Sequence, residues 1–326
     1  MIHASAPGKA ILLGEHSVVY RGPAIVLAID LRAHIWAEER EGDGIWIEAP
    51  DIGVSGHFDA RGRYHPIRGG SERWRSLNPI RVVALEAMRR LEAHRGLRIR
   101  VESEIPPAEG LGSSAAIAVA TAAAVGRLLS GEELSLGEVC EIAYEGERIV
   151  HGTPSGIDNH ISTYGGALRY ERGRGFERFK VEELPLIIGD SGRRRSTGAL
   201  VAKVRRLWER HREVVDAIID AMATLSEEGY KALRGGDLKR LGELMDIDHG
   251  LLSALGVSTP ELDRMIYAAR SAGALGAKLT GAGGGGCIIA LVEQPDRGRV
   301  AEAIRRAGGR PLRAGFTDIG VEVEEV

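Results

Sequence analysis

The segment Pro106-Pro107-Ala108-Glu109-Gly110-Leu111-Gly112-Ser113-Ser114-Ala115-Ala116 leads straight into a stretch rich in alanine and valine. Residues 115–129 are too apolar for a surface helix and read as one buried in the core. Two glycines allow tight backbone approach and positive φ, and two serines stand where that helix begins. The first N–H groups of a helix lack intrahelical partners, and its aligned dipoles place partial positive charge there. A polyphosphate can bind such an end. A capped helix after a Pro-Gly turn is the plainer reading of most Gly/Ser turns, but the double serine, clustered glycines and apolar helix favour phosphate here. The segment is not Walker A, which needs Gly-x-x-x-x-Gly-Lys-Ser/Thr. Nor is it the dinucleotide fingerprint, because the third glycine is missing and no regular βαβ pattern surrounds it. Nucleotide-dependent phosphoryl transfer by another loop architecture is the better reading.

Two further segments bear on the same chemistry. In Lys278-Leu279-Thr280-Gly281-Ala282-Gly283-Gly284-Gly285-Gly286-Cys287, five of six successive positions are glycine. Such a run has a steep entropic cost. A flexible linker is the bland account, but this run lies between a helix and a buried strand, so its backbone closely approaches another main chain or a ligand. In Glu145-Gly146-Glu147-Arg148-Ile149-Val150-His151-Gly152-Thr153-Pro154-Ser155-Gly156-Ile157-Asp158-Asn159, Asp158 sits in a glycine- and proline-fixed turn. A lone loop aspartate is usually a turn former; this one follows a carboxylate, Glu147, on a predicted helix. Glu147 and Ser114 make a fair Mg²⁺ set, since that ion takes few protein ligands and several phosphate oxygens.

The remainder bounds the setting. Lys+Arg 43 against Asp+Glu 46 gives a formal charge of −3, with no global pull toward nucleic acid or an anionic bilayer. Hydrophobic content of 44% with 27% charged residues argues against extensive disorder. No apolar run reaches the ~18 residues that span a bilayer, and the start lacks the regions of a secretory signal. Cys140 and Cys287 alone cannot build a disulfide framework or a tetrahedral zinc site. A cytoplasmic protein is expected. Apolar runs at 10–13 and 24–29 predict buried strands, and further strands and loops fill 40–72. Helices are expected at 78–95, 115–129, from 134 to about 150, and at about 197–233, 237–254, 260–274 and 296–307. Strands are expected at 97–101, 167–170, 184–189 and 287–292, with another at the terminus. Strands and helices mix without βαβ alternation, which favours α+β. Arg172-Gly173-Arg174-Gly175 is a plausible boundary between domains at 1–175 and 176–326.

Taken together the segments resemble the GHMP kinase superfamily, and within it the branch that phosphorylates mevalonate. Ala6-Pro7-Gly8-Lys9-Ala10-Ile11-Leu12-Leu13-Gly14-Glu15-His16-Ser17-Val18-Val19-Tyr20 is similar to that family's first motif. The Gly-Leu-Gly-Ser-Ser-Ala-Ala loop is similar to its second, and 278–287 to its third. The run from His151 to Asn159, continued by Gly165-Gly166-Ala167-Leu168-Arg169-Tyr170, is the most specific part. The similarity extends through Arg195-Ser196-Thr197, Met245-Asp246 and Leu255-Gly256-Val257. Departures are Ser17 for an expected alanine, Arg21 ahead of Gly22, and Asp248-His249 for the usual Asn-Gln.

The resemblance implies an α+β fold of two domains, the first like domain 2 of ribosomal protein S5 and the second ferredoxin-like, with ATP and mevalonate meeting between them. It implies that Pro106, Glu109, Gly110, Leu111, Gly112, Ser113, Ser114, Ala115 and Ala116 cradle the nucleotide, with Asn78 near the adenine. Ser114 and Glu147 would hold Mg²⁺, and Asp158 would face the C5 hydroxyl with Lys9 beside it. Glu15, His16, Arg169, Thr197, Gly281 and Ala282 would orient mevalonate. Expected partners are the small-molecule substrate and a second copy in a homodimer, with no nucleic acid and no membrane. A phosphomevalonate or sugar kinase of the same superfamily, and a nucleotide-binding regulator without turnover, stay open as alternatives. For Lys9 and Asp158 the alternative is a structural salt bridge.

Overall fold

A computed structural model of the chain describes residues 1–106, 110–151, 155–182, 184–193 and 196–326, without the side chains of 150 and 151. The first part of the chain builds β1 (Ile2–Leu13), α1 (Ser17–Tyr20), β2 (Pro23–Arg40), β3 (Ile45–Ala49), β4 (Val54–Phe58), β5 (Tyr64–Arg68), α2 (Trp74–Arg90) and β6 (Gly96–Ser103). It continues through α3 (Ser113–Ser130), α4 (Leu136–His151), α5 (Ile157–Tyr164), β7 (Ala167–Glu171) and β8 (Gly175–Phe179). Then come β9 (Leu186–Asp190), α6 (Thr197–Arg210), α7 (Arg212–Arg234), α8 (Leu238–Ala254), α9 (Pro260–Ser271), β10 (Gly276–Leu279), β11 (Cys287–Leu291), α10 (Arg297–Arg306), β12 (Arg310–Leu312) and β13 (Glu322–Glu325). The class is α+β, as the sequence predicts.

Among the described residues, nine strands form one sheet in the order β13-β1-β2-β6-β3-β4-β5, with β7 pairing on β2 and β8 on β7. Strands β1 and β2 pair antiparallel from Ile2↔Ala37 to Leu13↔Ile25. Their inner face is lined by small residues such as Ala4, Ala6, Ala33 and Ala37, all buried. Helix α3 lies on that face, presenting Ala116, Val119, Ala120, Ala123 and Ala124 to the same core. Alanine against alanine lets helix and sheet approach closely, which explains the unusual composition of 115–129. By length and composition α3 would pass for a membrane span, yet most of it is buried inside the protein. Four strands form a second, antiparallel sheet, β10-β11-β9-β12. Both of its faces are covered: Leu186, Ile188 and Ile289 join the core under the first sheet, while Ile187, Ile288 and Ala290 join a second core with α9 and α10.

Two expectations are corrected. Asp158 lies not in a turn but in the first turn of α5, a helix that the glycine-rich flank 152–156 hides from a periodicity reading. The single helix expected over 197–233 is two, broken at His211, whose φ of −133° and ψ of 52° are not helical. The stretch 172–175 is the turn of the β7–β8 hairpin, closed by Arg174 N–H to the Glu171 carbonyl at 3.0 Å. The last strand, β13, returns to the first sheet and pairs with β1.

Candidate active site

Strand β1 carries Lys9 beneath the loop that precedes α3. The Lys9 backbone N–H donates to the Leu111 carbonyl at 2.8 Å. A Cβ on Gly112 would stand 2.8 Å from Lys9 Cγ, and one on Gly8 would stand 2.7 Å from the Leu111 oxygen. Strand and loop therefore approach through glycine from both sides. Gly112 adopts φ +79° and starts α3 with no side-chain capping bond. The first helical closure is Ala116 N–H to the Gly112 carbonyl at 3.0 Å. Among the described residues nothing caps the N–H groups of 113–115, at the positive end of a long helix dipole. Pro106, Leu111, Ala115 and Ala116 are buried and fix the loop, Gly110, Gly112 and Ser113 are half-buried, and Ser114 is exposed. Glu109 lies outside the described residues, as do Pro107 and Ala108.

Asp158 is brought to the same place by α5, which packs on β1, α3 and α4. Its Oδ1 is 3.3 Å from Lys9 Nζ, with the lysine side chain 7% exposed and the carboxylate 38%. The pair thus has a buried cationic end and an open anionic end. Glu147, on α4, belongs to this group. Burial and the Asp158 charge push its carboxyl up to about 7, with Asn159 and Lys9 acting the other way.

That shift has a sign that can be measured. An ordinary glutamate gives up its proton near 4.5, whereas Glu147 in the fold keeps it to about 7. The folded protein therefore holds one more proton across that interval, and the contribution of Glu147 to stability falls as pH rises through it, levelling off above. In metal-free protein, the stability of wild type minus that of Glu147→Gln should decline between about pH 4.5 and pH 7. Denaturant melts at a series of pH values measure it; a flat difference would take Glu147 out of this pocket.

Glu15, His16, Gly281 and Ala282 gather next door, at the junction of the two sheets. Beyond β1 the chain turns through Gly14 at φ +97° and His16 at φ +60°. Glu15 Oε1 is 2.5 Å from Lys278 Nζ, which is also 3.3 Å from Asp248 Oδ2; all three side chains are buried. Burial pushes the Asp248 carboxyl up, Lys278 opposing it and Glu15 adding to it. His16 Nε2 lies 3.0 Å from the Ala282 carbonyl, which fixes the proton on that nitrogen. Thr280 Oγ1 accepts from Ile11 N–H at 3.0 Å and donates to the Ile11 carbonyl at 2.9 Å. Of the two expectations for the glycine run, approach to another main chain is observed. Gly284 N–H donates to the Val257 carbonyl at 2.7 Å and Gly286 N–H to that of Arg193 at 2.9 Å.

Three sequence candidates have their contacts elsewhere. Arg169 is held by Glu171 at 2.9 Å and Glu227 at 2.5 Å, between β7 and α7. Asn78 accepts from Arg81 at 3.3 Å on α2, and Thr197 is exposed at the start of α6. Lys278, Thr280 and Asp248 are the junction residues that sequence reasoning passed over as side chains. A signal existed: the chain has only six lysines, and the two that are buried are Lys9 and Lys278. Among the described residues, no group of three or more His, Cys, Asp or Glu could hold a metal ion.

Residues 79–166 match the GHMP kinases N terminal domain and 230–310 the GHMP kinases C terminal domain. The chain is 46% identical over 333 residues to the mevalonate kinase of Thermococcus onnurineus (strain NA1), covering 99% of this chain and 98% of that one. Among solved structures it is similar to the Methanococcus jannaschii mevalonate kinase, with a TM-score of 0.81 and 28% identity over 97% of this chain and 98% of that one. It is similar also to L. major mevalonate kinase in complex with R-mevalonate, with a TM-score of 0.80 and 27% identity over 96% and 95% of the two chains.

Proposed function

Because the chain belongs to the GHMP kinases, and to the mevalonate kinases among them, we propose that it transfers the γ-phosphoryl group of ATP to the C5 hydroxyl of mevalonate where β1, α3, α4 and α5 meet. The observation that carries the reading is the Lys9–Asp158 pair, 3.3 Å apart beside an uncapped helix start. The alternative of a purely structural salt bridge is disfavoured by the exposed face of Asp158 and by the second carboxylate, Glu147, drawn in beside it.

Phosphoryl transfer asks the protein mainly for alignment and charge stabilisation. The loop at 110–114 and the N–H groups opening α3 receive the triphosphate. Asp158 aims the C5 hydroxyl along the line of attack and accepts its proton. Complete deprotonation before attack fails on magnitude: a carboxylate near ~3.9 facing a hydroxyl near ~15.7 is mismatched by about 12 units, or roughly 16 kcal/mol. In a loose transition state the proton leaves late. As the C5 oxygen bonds to the γ-phosphorus and the bridging oxygen departs with ADP, Asp158 need only receive that proton. Lys9, whose ammonium is held beside Asp158, faces the negative charge gathering on the C5 oxygen.

Mg²⁺ belongs to the same proposal. Glu147 and Asp158 crowd two carboxylates against one ammonium, and Glu147 resists ionising there, so the oxygen donors fit a small hard cation. Ser114 and Glu147 would hold it, phosphate oxygens completing its shell. When bound, the ion neutralises charge on the β- and γ-phosphates. Glu15, His16, Gly281 and Ala282 would face mevalonate, and a division of the chain near 175 would separate the halves that enclose it.

A coupled ADP-release assay across mevalonate, phosphomevalonate, homoserine and galactose tests the reading. Mevalonate should be preferred by roughly 10²-fold or more in kcat/KM. Preference for another alcohol would move the chain to a different branch of the family, and ATP binding without turnover on any of them would end the proposal.

A further inference from the structure

Three links tie the end of β1 to β10 and the glycine turn: Ile11 with Thr280, Glu15 with Lys278, and His16 with Ala282. The chemistry derived above makes no use of the middle one. Lys278 is wholly buried, and an ammonium has three N–H groups to satisfy. It donates to Glu15 Oε1 at 2.5 Å and to the Leu279 carbonyl at 2.8 Å, and it forms an ion pair with Asp248 Oδ2 at 3.3 Å. A cation in such a place persists only because opposite charge and hydrogen-bond acceptors surround it.

What the cation holds is a strained turn. Glu15 precedes His16, a non-glycine residue held at φ +60°; among the described residues only Glu92 is another non-glycine with positive φ. Such a backbone survives where its surroundings over-determine it. Here it is gripped from behind by the Glu15–Lys278 pair and from ahead by the His16 ring on the Ala282 carbonyl. The nucleotide loop is attached to β1 at a different point, through Lys9 N–H and the Leu111 carbonyl.

We infer that Lys278 is a positioning residue for the acceptor alcohol: through Glu15 it fixes the turn that sets the His16 ring against Ala282. The inference rests on the proposed function, in which those two residues face mevalonate. The cation acts on one substrate and not on the other, because its reach ends at the 14–17 turn.

The test is steady-state kinetics of the full chain with each substrate varied, on wild type, Lys278→Met and the double variant Lys278→Met with Glu15→Gln. The single variant leaves two buried carboxylates facing each other. The double variant leaves only Asp248, whose carboxyl burial already pushes up, so it carries the test alone if the single variant does not fold. In both, KM for mevalonate should rise about tenfold or more while KM for ATP stays within about twofold. Three results overturn the inference: mevalonate KM unchanged in folded variants, both KM values moving together, or the double variant regaining the wild-type mevalonate KM. Wild type without mevalonate turnover overturns the proposed function and this inference with it. Normal wild-type turnover with unaltered variants overturns the inference alone.

Discussion

Replacing Asp158 by alanine is expected to lower kcat by roughly 10²–10⁴-fold while leaving ATP affinity nearly intact. In the proposed reaction the carboxylate touches the alcohol and does not cradle the nucleotide. It sits in the first turn of α5, 3.3 Å from the Lys9 ammonium, with its other face open. The loop proposed for the nucleotide is built instead from the glycines at 110 and 112 and the start of α3. On the proposed mechanism, removing the carboxylate deletes both the group that aims the hydroxyl and the one that receives its proton, and it leaves the Lys9 charge without this partner. Asp158→Asn is the sharper variant, because it keeps the volume and a hydrogen-bond acceptor but not the proton acceptor. It should retain orientation and still lose most of the rate. Single-turnover measurement separates chemistry from product release, and calorimetry with a non-hydrolysable ATP analogue reports binding. Turnover near wild type in either variant would show that the 9–158 pair is only a strut between β1 and α5.

The largest structural loss is expected at Gly283. Its φ is +76°, and a Cβ there would lie 2.2 Å from the Val257 carbonyl oxygen. That oxygen is already the acceptor for Gly284 N–H at 2.7 Å, and Val257 is buried in the second core, so it cannot retreat. Valine would add a branched Cβ in a conformation it rarely adopts and force apart two main chains. Gly283→Val should therefore destabilise the protein by roughly 3–5 kcal/mol in equilibrium denaturation. Gly198→Ala makes the control, since open space surrounds that position in α6 and the change should be neutral or mildly stabilising. If the two variants melt alike, the glycine turn is looser than its hydrogen bonds indicate.

What could be read in the sequence was whatever is local. The glycine and serine spacing at 110–114 announced a backbone that must come close to something, and glycine's positive φ and the Lys9 contact are that closeness made specific. The alanine-rich helix announced its own burial. What could not be read depended on residues far apart in the chain. Arg169, given to the substrate by resemblance, is also held by Glu227, 58 positions away, a partnership no local pattern announces. Lys278 meets Glu15 across 263 positions, and nothing in either neighbourhood names the other. Helix α5 was missed because eight residues are too few for a periodicity to outweigh glycines on both flanks. The break at His211 has no proline or glycine at it, so no local rule foretells it.

The last strand bears on more than topology. β13 lies at one margin of the nine-stranded sheet and sets Glu322, Glu324 and Glu325 along it, with Val326 N–H closing on the Met1 carbonyl at 3.0 Å. Without 322–325 the hydrogen-bonding groups of β1 would lie open beside Ile2, Ala4 and Ala6, ready to recruit a strand from another molecule. With them, any newcomer meets a row of like-charged carboxylates. Strand β13 is in this sense a guard against clumping, and deleting 322–325 should show first as lost solubility.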